Sequence, residues 1–289
     1  MNLVVGATGF LGSDICRLLI QQGQPVRALV RTTSDPAKKE ALQSLGIELI
    51  VGDLKDPASL AAACQGVGAV ISTASVTISR QPDDSIQAVD LDGQLNLIEA
   101  AKNAHVARFI YVSYSGNIDV DCPLKTAKRT VEQAVKESGM TYTILRPSSF
   151  MEVWLSPIVG FDAANANVTV YGAGQNKISW ISLHDVAQFA VASLTNSAAQ
   201  NVVLELGGPE ALSPLEVIKI FEAASGKTFT VQYVPAEALQ SQLDAATDPI
   251  QQSFAALMLA VTQGDEIDMT ATLQSFPLRL TSVEEFARR

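Results

Sequence analysis

Residues 4–12 read Val-Val-Gly-Ala-Thr-Gly-Phe-Leu-Gly, and this stretch decides the fold. Its three glycines lie between a β-rich run at 3–5 and an amphipathic helical pattern at 11–22. Gly6 permits a tight turn, Gly9 lets the backbone approach a pyrophosphate, and Gly12 lets helix and strand pack closely. A glycine-rich turn without a ligand is the alternative. The strand before and the helix after are the context that a dinucleotide-binding motif requires, so we expect dinucleotide binding.

The first half of the chain alternates between strand and helix patterns. Strand-like runs occur at 3–5, 26–30, 48–51, 69–72, 109–113 and 141–145, and helical patterns at 11–22, 57–64, 93–103 and 126–138. This alternation predicts a Rossmann-type, doubly wound α/β fold with a parallel sheet. We expect an NADP-binding domain over 1–150 and a smaller C-terminal substrate lobe over 151–289, with about 178–210 returning to the Rossmann sheet.

The second half is less regular. Its predicted strands lie at 168–171, 178–181, 202–206 and 229–233, and its predicted helices at 185–194 and 214–224. We expect Asp185 and Ser213 to cap these two helices, because their side-chain oxygens can accept hydrogen bonds from unpaired backbone N–H groups.

Composition excludes several classes of protein. The net charge of −10 over 289 residues argues against binding nucleic acid through its phosphates. No apolar run approaches the roughly 20 residues of a spanning helix, and because the first strand pattern begins almost at Met1 we expect no secretory signal. Three widely spaced cysteines and two histidines suit neither disulfides nor a metal site. We expect a cytoplasmic protein without a metal.

The end of the second strand favours NADP(H) over NAD(H). An NAD site places an acidic residue there, about 20 residues past the glycine turn. This chain has Arg31 instead, followed by Thr32, Thr33 and Ser34, and no acid comes before Asp35. A guanidinium can pair bidentately with a 2′-phosphate, and the hydroxyls could add donors. An ordinary exposed surface arginine is the alternative.

These motifs carry a family resemblance. The stretches at 6–12, 51–54 and 108–113, with Arg31, resemble the atypical short-chain dehydrogenase/reductases. Lys128-x-x-x-Glu132 and the stretches at 142–147, 181–187 and 206–209 resemble the NmrA-like branch. The resemblance runs from residue 2 to about 234. It implies the fold and the cofactor but not the substrate, because the family includes reductases, isomerases, redox sensors and photosystem-assembly factors.

The resemblance also implies that Asp53 and Leu54 flank the adenine and that Ala74 and Ser75 line the cofactor. These positions lie at the carboxyl ends of predicted parallel strands, where open α/β sheets bind ligands. For Asp53, a turn or helix-cap role is an equal alternative. The predicted cofactor-binding residues are Gly6, Thr8, Gly9, Phe10, Leu11, Gly12, Arg31, Thr32, Ser34, Asp53, Leu54, Ala74, Ser75, Ser113, Lys128 and Pro147.

The catalytic residues are less well defined. The larger superfamily uses a Tyr-x-x-x-Lys pair, and the resemblance aligns Lys128 with its lysine, but Leu124 stands four residues earlier. The alternative for Lys128 is an ion pair with Glu132 on an exposed helix face. Because an exposed helix lysine contributes little to stability, we expect Lys128→Ala to change folding stability only slightly. Tyr114 follows the fifth strand and could donate a proton to a substrate carbonyl, although packing at the sheet end is the alternative.

Phe150, Met151 and Trp154 lie at helical spacing after Pro147 and could wall an apolar substrate pocket, with core packing an equal alternative. Two functions follow. One is an NADPH-dependent reductase of a small apolar, unsaturated or quinone-like substrate. The other is a non-catalytic NADP(H)-binding redox sensor or assembly factor whose conformation a protein partner reads. A homo-oligomer is also compatible with the sequence.

Overall fold

The computed structural model describes residues 1–78 and 81–289. The chain forms two compact units. The first contains Met1–Ser113, Thr126–Leu145 and Val186–Leu204, and the second contains Tyr114–Lys125, Arg146–Asp185 and Glu205–Arg289. The chain therefore passes between the units several times, and no single boundary near residue 150 divides it.

The described residues contain strands and helices with the following bounds. The strands are β1 Asn2–Val5, β2 Val26–Val30, β3 Glu48–Val51, β4 Ala69–Ser72, β5 Arg108–Val112, β6 Thr141–Pro147, β7 Phe161–Asp162, β8 Asn167–Tyr171, β9 Val202–Leu206 and β10 Thr230–Val234. The helices are α1 Phe10–Gln21, α2 Pro36–Ser44, α3 Pro57–Ala63, α4 Gln94–Asn103, α5 Pro123–Glu137, α6 Met151–Trp154, α7 Leu183–Ala192, α8 Pro214–Ser225, α9 Ala236–Ala245, α10 Pro249–Val261, α11 Thr270–Ser275 and α12 Val283–Ala287. A π-helical segment, Ile86–Gly93, runs directly into α4.

The main sheet has seven strands in the order β3-β2-β1-β4-β5-β6-β9. The pairs from β3 through β6 are parallel. All four residues of β1 are buried, as expected for an interior strand covered on both faces. The strand order reverses direction beside β1, which is the arrangement of a Rossmann-type sheet. The predicted fold class is confirmed.

The second unit has its own sheet and core. Its strands are ordered β10-β8-β7, with β8 parallel to β10 and antiparallel to β7. Three aromatic rings meet in its core: the centroids of Phe161 and Phe221 are 4.8 Å apart, and those of Phe161 and Phe229 are 5.9 Å apart. Both separations are typical of favourable aromatic packing, so this unit buries a substantial apolar cluster of its own.

One of the two predicted helix caps is confirmed. Ser213 caps α8 in a complete capping box with Glu216. The prediction for Asp185 is wrong, because α7 begins two residues before it and the Ser182 hydroxyl accepts a hydrogen bond from the Asp185 amide. The buried Asp185 carboxylate instead accepts hydrogen bonds from the amide and hydroxyl of Thr281.

The predicted strand at 178–181 is also wrong. Ile178 makes only isolated bridges, to Leu212 and Asp265, and Ile181 makes one to Phe150. The apolar residues of this segment are buried, which explains the strand-like pattern, but bridges to three separate segments give no continuous ladder. Across the two described ranges, no helix is both long enough and apolar enough to cross a bilayer.

Candidate cofactor and active-site residues

The turn between β1 and α1 is shaped for a ligand. Gly6 has φ +87°, and a Cβ there would lie 2.6 Å from Thr73 Oγ1. A Cβ on Gly12 would lie 2.2 Å from the Gly6 carbonyl oxygen, closer than real Cβ contacts come. Gly9 is the N-cap of α1 and has no side chain to bond the first amides of the helix. These amides and the positive end of the helix dipole suit a pyrophosphate, so the residues present fit a dinucleotide.

Arg31 lies beside an acidic residue, Asp84, that is distant in sequence. Its Nη1 lies 2.6 Å from Oδ2 of Asp84, and Lys55 Nζ lies 2.9 Å from Oδ1 of the same carboxylate. The Asp84 side chain is only 1% exposed, whereas those of the two cations are each 28% exposed. The predicted contact Ser34 uses its hydroxyl to accept a hydrogen bond from the Arg31 amide. Sequence reasoning missed both Lys55 and Asp84.

The charge state of Asp84 reflects two opposing effects. Burial favours the neutral acid and raises its pKa. The hydrogen bond from the Gln81 amide, together with the pairs to Lys55 and Arg31, outweighs burial and holds the pKa of Asp84 below its ordinary value. Asp84 is therefore an anion at neutral pH, held between two cations.

Asp53 acts locally in a turn. Its Oδ1 accepts a hydrogen bond from the Lys55 amide at 2.9 Å, and its own amide donates to Ser59 Oγ. The N-cap of α3 is Asp56, so the helix-cap alternative for Asp53 does not hold. The neighbouring Leu54 is buried. The turn alternative is realised, and a contact with adenine stays a prediction.

The predicted contacts after β4 border a buried amide. Gln94 Nε2 donates to the Ala74 carbonyl at 3.1 Å, and Ser72 Oγ donates to Gln94 Oε1 at 2.8 Å. Ser75 is half-buried, and its hydroxyl lies 3.3 Å from that of Thr77. The backbone at Ala74 is therefore held in place from the side of α4.

Lys128 is buried and has an unexpected partner. Its residue is 5% exposed, and its Nζ lies 3.4 Å from Oδ1 of Asp90, which is fully buried. The other Asp90 oxygen accepts a hydrogen bond from the Val76 amide at 3.1 Å. Glu132 pairs with Arg129 at 2.6 Å, so the exposed pair with Lys128 that was the alternative to a cofactor role does not form. The expectation of an exposed lysine is wrong.

A buried tyrosine completes this polar group. The ammonium of Lys128 lies 5.2 Å from the ring centroid of Tyr111, which is 0% exposed. Burial, reinforced by the negative charges of Asp90 and Glu132, raises the pKa of Tyr111 well above its ordinary value, so its phenol stays protonated. Ser113 lies two residues after Tyr111, just past the end of β5, and its hydroxyl accepts a hydrogen bond from Arg129 at 3.1 Å.

Sequence analysis missed Asp90 and Tyr111. An acid inside the apolar run Ala88-Val-Asp-Leu was the signal for Asp90, because an aspartate is rarely buried unless it is paired. Tyr111 gave no such signal, since tyrosine is common within strands.

In the second unit, Tyr114 is half-buried and begins a segment that is firmly held. The Ser115 amide donates to the Pro147 carbonyl at 2.9 Å. Ser115 Oγ donates to Oδ1 of the buried Asp265 at 2.7 Å, and Asn117 Nδ2 donates to the same oxygen at 2.9 Å. The backbone next to Tyr114 is thus fixed by these hydrogen bonds, as a positioned proton donor would need.

The predicted substrate residues lie at α6. Met151 is fully buried in the core of the second unit, and Trp154 packs against that core. Trp154 also lines a cavity of about 30 Å³, enough for a water molecule or two but not for a substrate. Met151 and Trp154 thus pack in or against this core, and their role as the wall of a substrate pocket stays a prediction. Phe150 is half-buried.

The predicted site residues are divided between the units. Those in the first unit are Gly6, Thr8, Gly9, Phe10, Leu11, Gly12, Arg31, Thr32, Ser34, Asp53, Leu54, Ala74, Ser75, Ser113 and Lys128, and those in the second are Tyr114, Pro147, Phe150, Met151 and Trp154. Phe10 is 62% exposed, which leaves its ring open to a ligand or solvent. In the part of the chain that the structure describes, no three His, Cys, Asp or Glu side chains are grouped to hold a metal ion.

Comparisons with known proteins agree with this architecture. The sequence profile of the NmrA-like family matches residues 2–287. An NAD(P)H azoreductase from Xenophilus azovorans is 35% identical over 81% of this chain and 76% of its own length. A photosystem II assembly factor, Ycf39, from Trieres chinensis is 32% identical over 81% of this chain and 72% of its own.

A solved structure covers nearly the full chain. The NADPH-dependent quinone oxidoreductase QOR2 from Escherichia coli, complexed with NADPH, is 26% identical, covers 99% of this chain and 98% of its own, and has a TM-score of 0.79. The proteins similar to this chain thus include nicotinamide-dependent reductases as well as photosystem II assembly factors.

Proposed function

The chain belongs to the NmrA-like family, and from that premise we propose that it is an NADPH-dependent reductase of a small apolar, unsaturated or quinone-like substrate. The observation that carries the proposal is the turn between β1 and α1, where neither Gly6 nor Gly12 has room for a side chain. Relatives named as an NAD(P)H azoreductase and an NADPH-dependent quinone oxidoreductase support the reaction class.

The choice of NADPH rests on Arg31. It stands where an NAD site has an acid in the sequence, and Lys55 brings a second positive charge to the same place. Two cations at one point suit a phosphate better than a hydroxyl, because charge-assisted hydrogen bonds are roughly twice as strong as neutral ones.

NADPH supplies the hydride when it is bound. The ammonium of Lys128 would hold the cofactor through hydrogen bonds, and Asp90, 3.4 Å away, would hold that ammonium in place. Tyr114 is the proposed proton donor to the reduced substrate. A phenol can donate a proton to a substrate carbonyl, and the bonds of Ser115 to Pro147 and Asp265 fix the backbone beside Tyr114.

Fluorescence titration with NADPH and NADH tests the cofactor proposal. The wild-type protein should bind NADPH more tightly than NADH, and Arg31→Ala should weaken NADPH binding while leaving NADH binding nearly unchanged. Arg17→Ala is the matched control, because it removes a surface cation that pairs with Asp14, three residues away on the same helix. Equal affinities for the two cofactors in the wild type would reject the choice of NADPH.

A second candidate function is a non-catalytic NADP(H) sensor or assembly factor. Leu124 favours it, since a buried leucine occupies the position of the superfamily's catalytic tyrosine. The similarity to a photosystem II assembly factor favours it as well. Turnover separates the two functions, because a sensor binds NADPH and alters its binding of a partner protein without consuming the cofactor.

A further inference from the structure

The structure supplies an acid that the second strand lacks. An NAD site uses a carboxylate at the end of that strand to bind the ribose 2′-hydroxyl, and here Arg31 directly follows the last residue of the strand, Val30. Asp84, 53 residues further along the chain, brings its carboxylate to within 2.6 Å of the Arg31 guanidinium. The place proposed for the cofactor 2′-group therefore holds two cations and one buried anion.

This carboxylate is held from three directions. Arg31 and Lys55 each pair with one of its oxygens, and the Gln81 amide donates to Oδ2 at 2.7 Å. Such fixing keeps the negative charge beside the cations and prevents it from turning into solvent. Two cations and one carboxylate leave a net charge of about +1 in a partly desolvated place, where charges interact more strongly than in water.

The two cofactors meet this arrangement differently. A 2′-phosphate gains from Arg31 and Lys55 but is repelled by the Asp84 carboxylate, which also competes for the same donors. A ribose 2′-hydroxyl is neutral and can donate a hydrogen bond to a carboxylate. The same anion therefore opposes NADPH and favours NADH.

We propose that Asp84 is a specificity-determining residue, which lowers the preference for NADPH that Arg31 and Lys55 create and keeps NADH usable as a second cofactor. This inference rests on the proposed nicotinamide-dependent function. It concerns the ratio of the two affinities, so it can fail while the proposed function stands.

Asp84→Asn tests the inference, because it removes the charge and keeps the size of the side chain. We expect the ratio of the dissociation constant for NADH to that for NADPH to rise at least fivefold over the wild type in titrations of the purified full chain. A smaller rise, no change or a fall would overturn the inference. If Asp84→Asn does not fold, as judged by its thermal unfolding curve, Asp84→Ser makes the same change of charge.

Asp83→Asn is the matched control. The Asp83 side chain is 88% exposed, and its Oδ2 lies 3.9 Å from Lys55 Nζ. The substitution therefore removes an equal charge at the neighbouring position and leaves the buried contacts of Asp84 in place. The ratio should stay within twofold of the wild type, and a rise equal to that of Asp84→Asn would overturn the inference by assigning the effect to general charge. If the wild type bound neither cofactor, the proposed function itself would fail, which is a separate result.

Discussion

The ammonium of Lys128 lies 3.4 Å from Oδ1 of Asp90, and both side chains are buried. The π-helical segment Ile86–Gly93 carries Asp90, and α5 carries Lys128, so two separate elements deliver the two charges. π-Helical turns are often found at functional sites. A charged pair of this kind is costly to desolvate and gives little net stability, which is consistent with a positioning role for Asp90 toward the Lys128 ammonium.

Removing one partner of this pair should be strongly destabilising. Lys128→Met keeps the apolar stem but leaves the Asp90 carboxylate buried and unpaired, so we expect a loss of about 3–5 kcal/mol in the free energy of unfolding. Urea unfolding measures it. Lys102→Met, which removes an exposed lysine paired with Glu99, is the control and should cost no more than about 1 kcal/mol. A loss below about 1 kcal/mol for Lys128→Met would show that the pair is not buried in solution.

Replacing Tyr114 tests the proposed proton donor. Tyr114→Phe keeps the ring and removes the phenol, and we expect kcat to fall by about 10²–10⁴-fold with little change in NADPH affinity. Tyr233→Phe is the control, because Tyr233 is 55% exposed on β10. Equal kcat values for the wild type and Tyr114→Phe would leave Tyr114 with a packing role only.

The glycine turn offers a test of cofactor binding that does not depend on charge. Gly12→Ala places a Cβ 2.2 Å from the Gly6 carbonyl oxygen, so the turn must shift and NADPH binding should be lost. Gly68→Ala is the control, since the nearest atom to its Cβ would be 3.9 Å away. Calorimetric titration of both variants measures the difference. Wild-type affinity in Gly12→Ala would contradict the assignment of this turn to the pyrophosphate.

The cysteines should be unreactive in the folded protein. All three are free and buried, and burial raises the pKa of Cys16 to about 12 and that of Cys64 to about 11. A thiol-specific disulfide reagent at pH 8 should therefore react slowly until guanidinium unfolds the chain. Rapid reaction of native Cys16 or Cys64 at pH 8 would contradict their burial.

The same pKa shifts predict how stability changes with pH. The folded state keeps the Cys16 proton from pH 9 to about 12, whereas the unfolded state loses it above pH 9. The free energy of unfolding should consequently fall as pH rises through this range. Cys16→Ser should flatten this decline in urea unfolding measured between pH 8.5 and 10, and an unchanged slope would contradict the shift.

Features set by local sequence were predictable. The turn between β1 and α1 depends on residues within ten positions of one another, and the alternation of strand and helix follows from side-chain periodicity. Ser213 caps α8 because its partner Glu216 is three residues away. Asp185 is also a residue type that favours helix caps, but its carboxylate accepts a hydrogen bond from the Thr281 amide. That contact spans 96 positions, so no local window of sequence reveals it.

The less predictable part of the site is made of long-range pairs. Arg31 is an expected anion-binding residue, yet its neighbour Asp84 comes from a segment with no motif. Lys128 is part of a recognisable pattern, but its charge partner is Asp90 and not the nearby Glu132. Sequence spacing offered only Glu132, on the same helix, as a charge partner for Lys128. In the folded chain Lys128 is buried beside Asp90, and Glu132 pairs with Arg129.

Turnover is the most direct test of the proposed reductase. The measurement follows NADPH absorbance at 340 nm with substoichiometric protein and a panel of quinones and conjugated carbonyl compounds. We predict that at least one compound oxidises many equivalents of NADPH per protein molecule, and that Gly12→Ala abolishes this activity while Gly68→Ala retains it. Tight NADPH binding with no turnover of any compound, together with an NADPH-dependent change in binding of a partner protein, would contradict the proposed reductase function and favour the NADP(H)-sensor function.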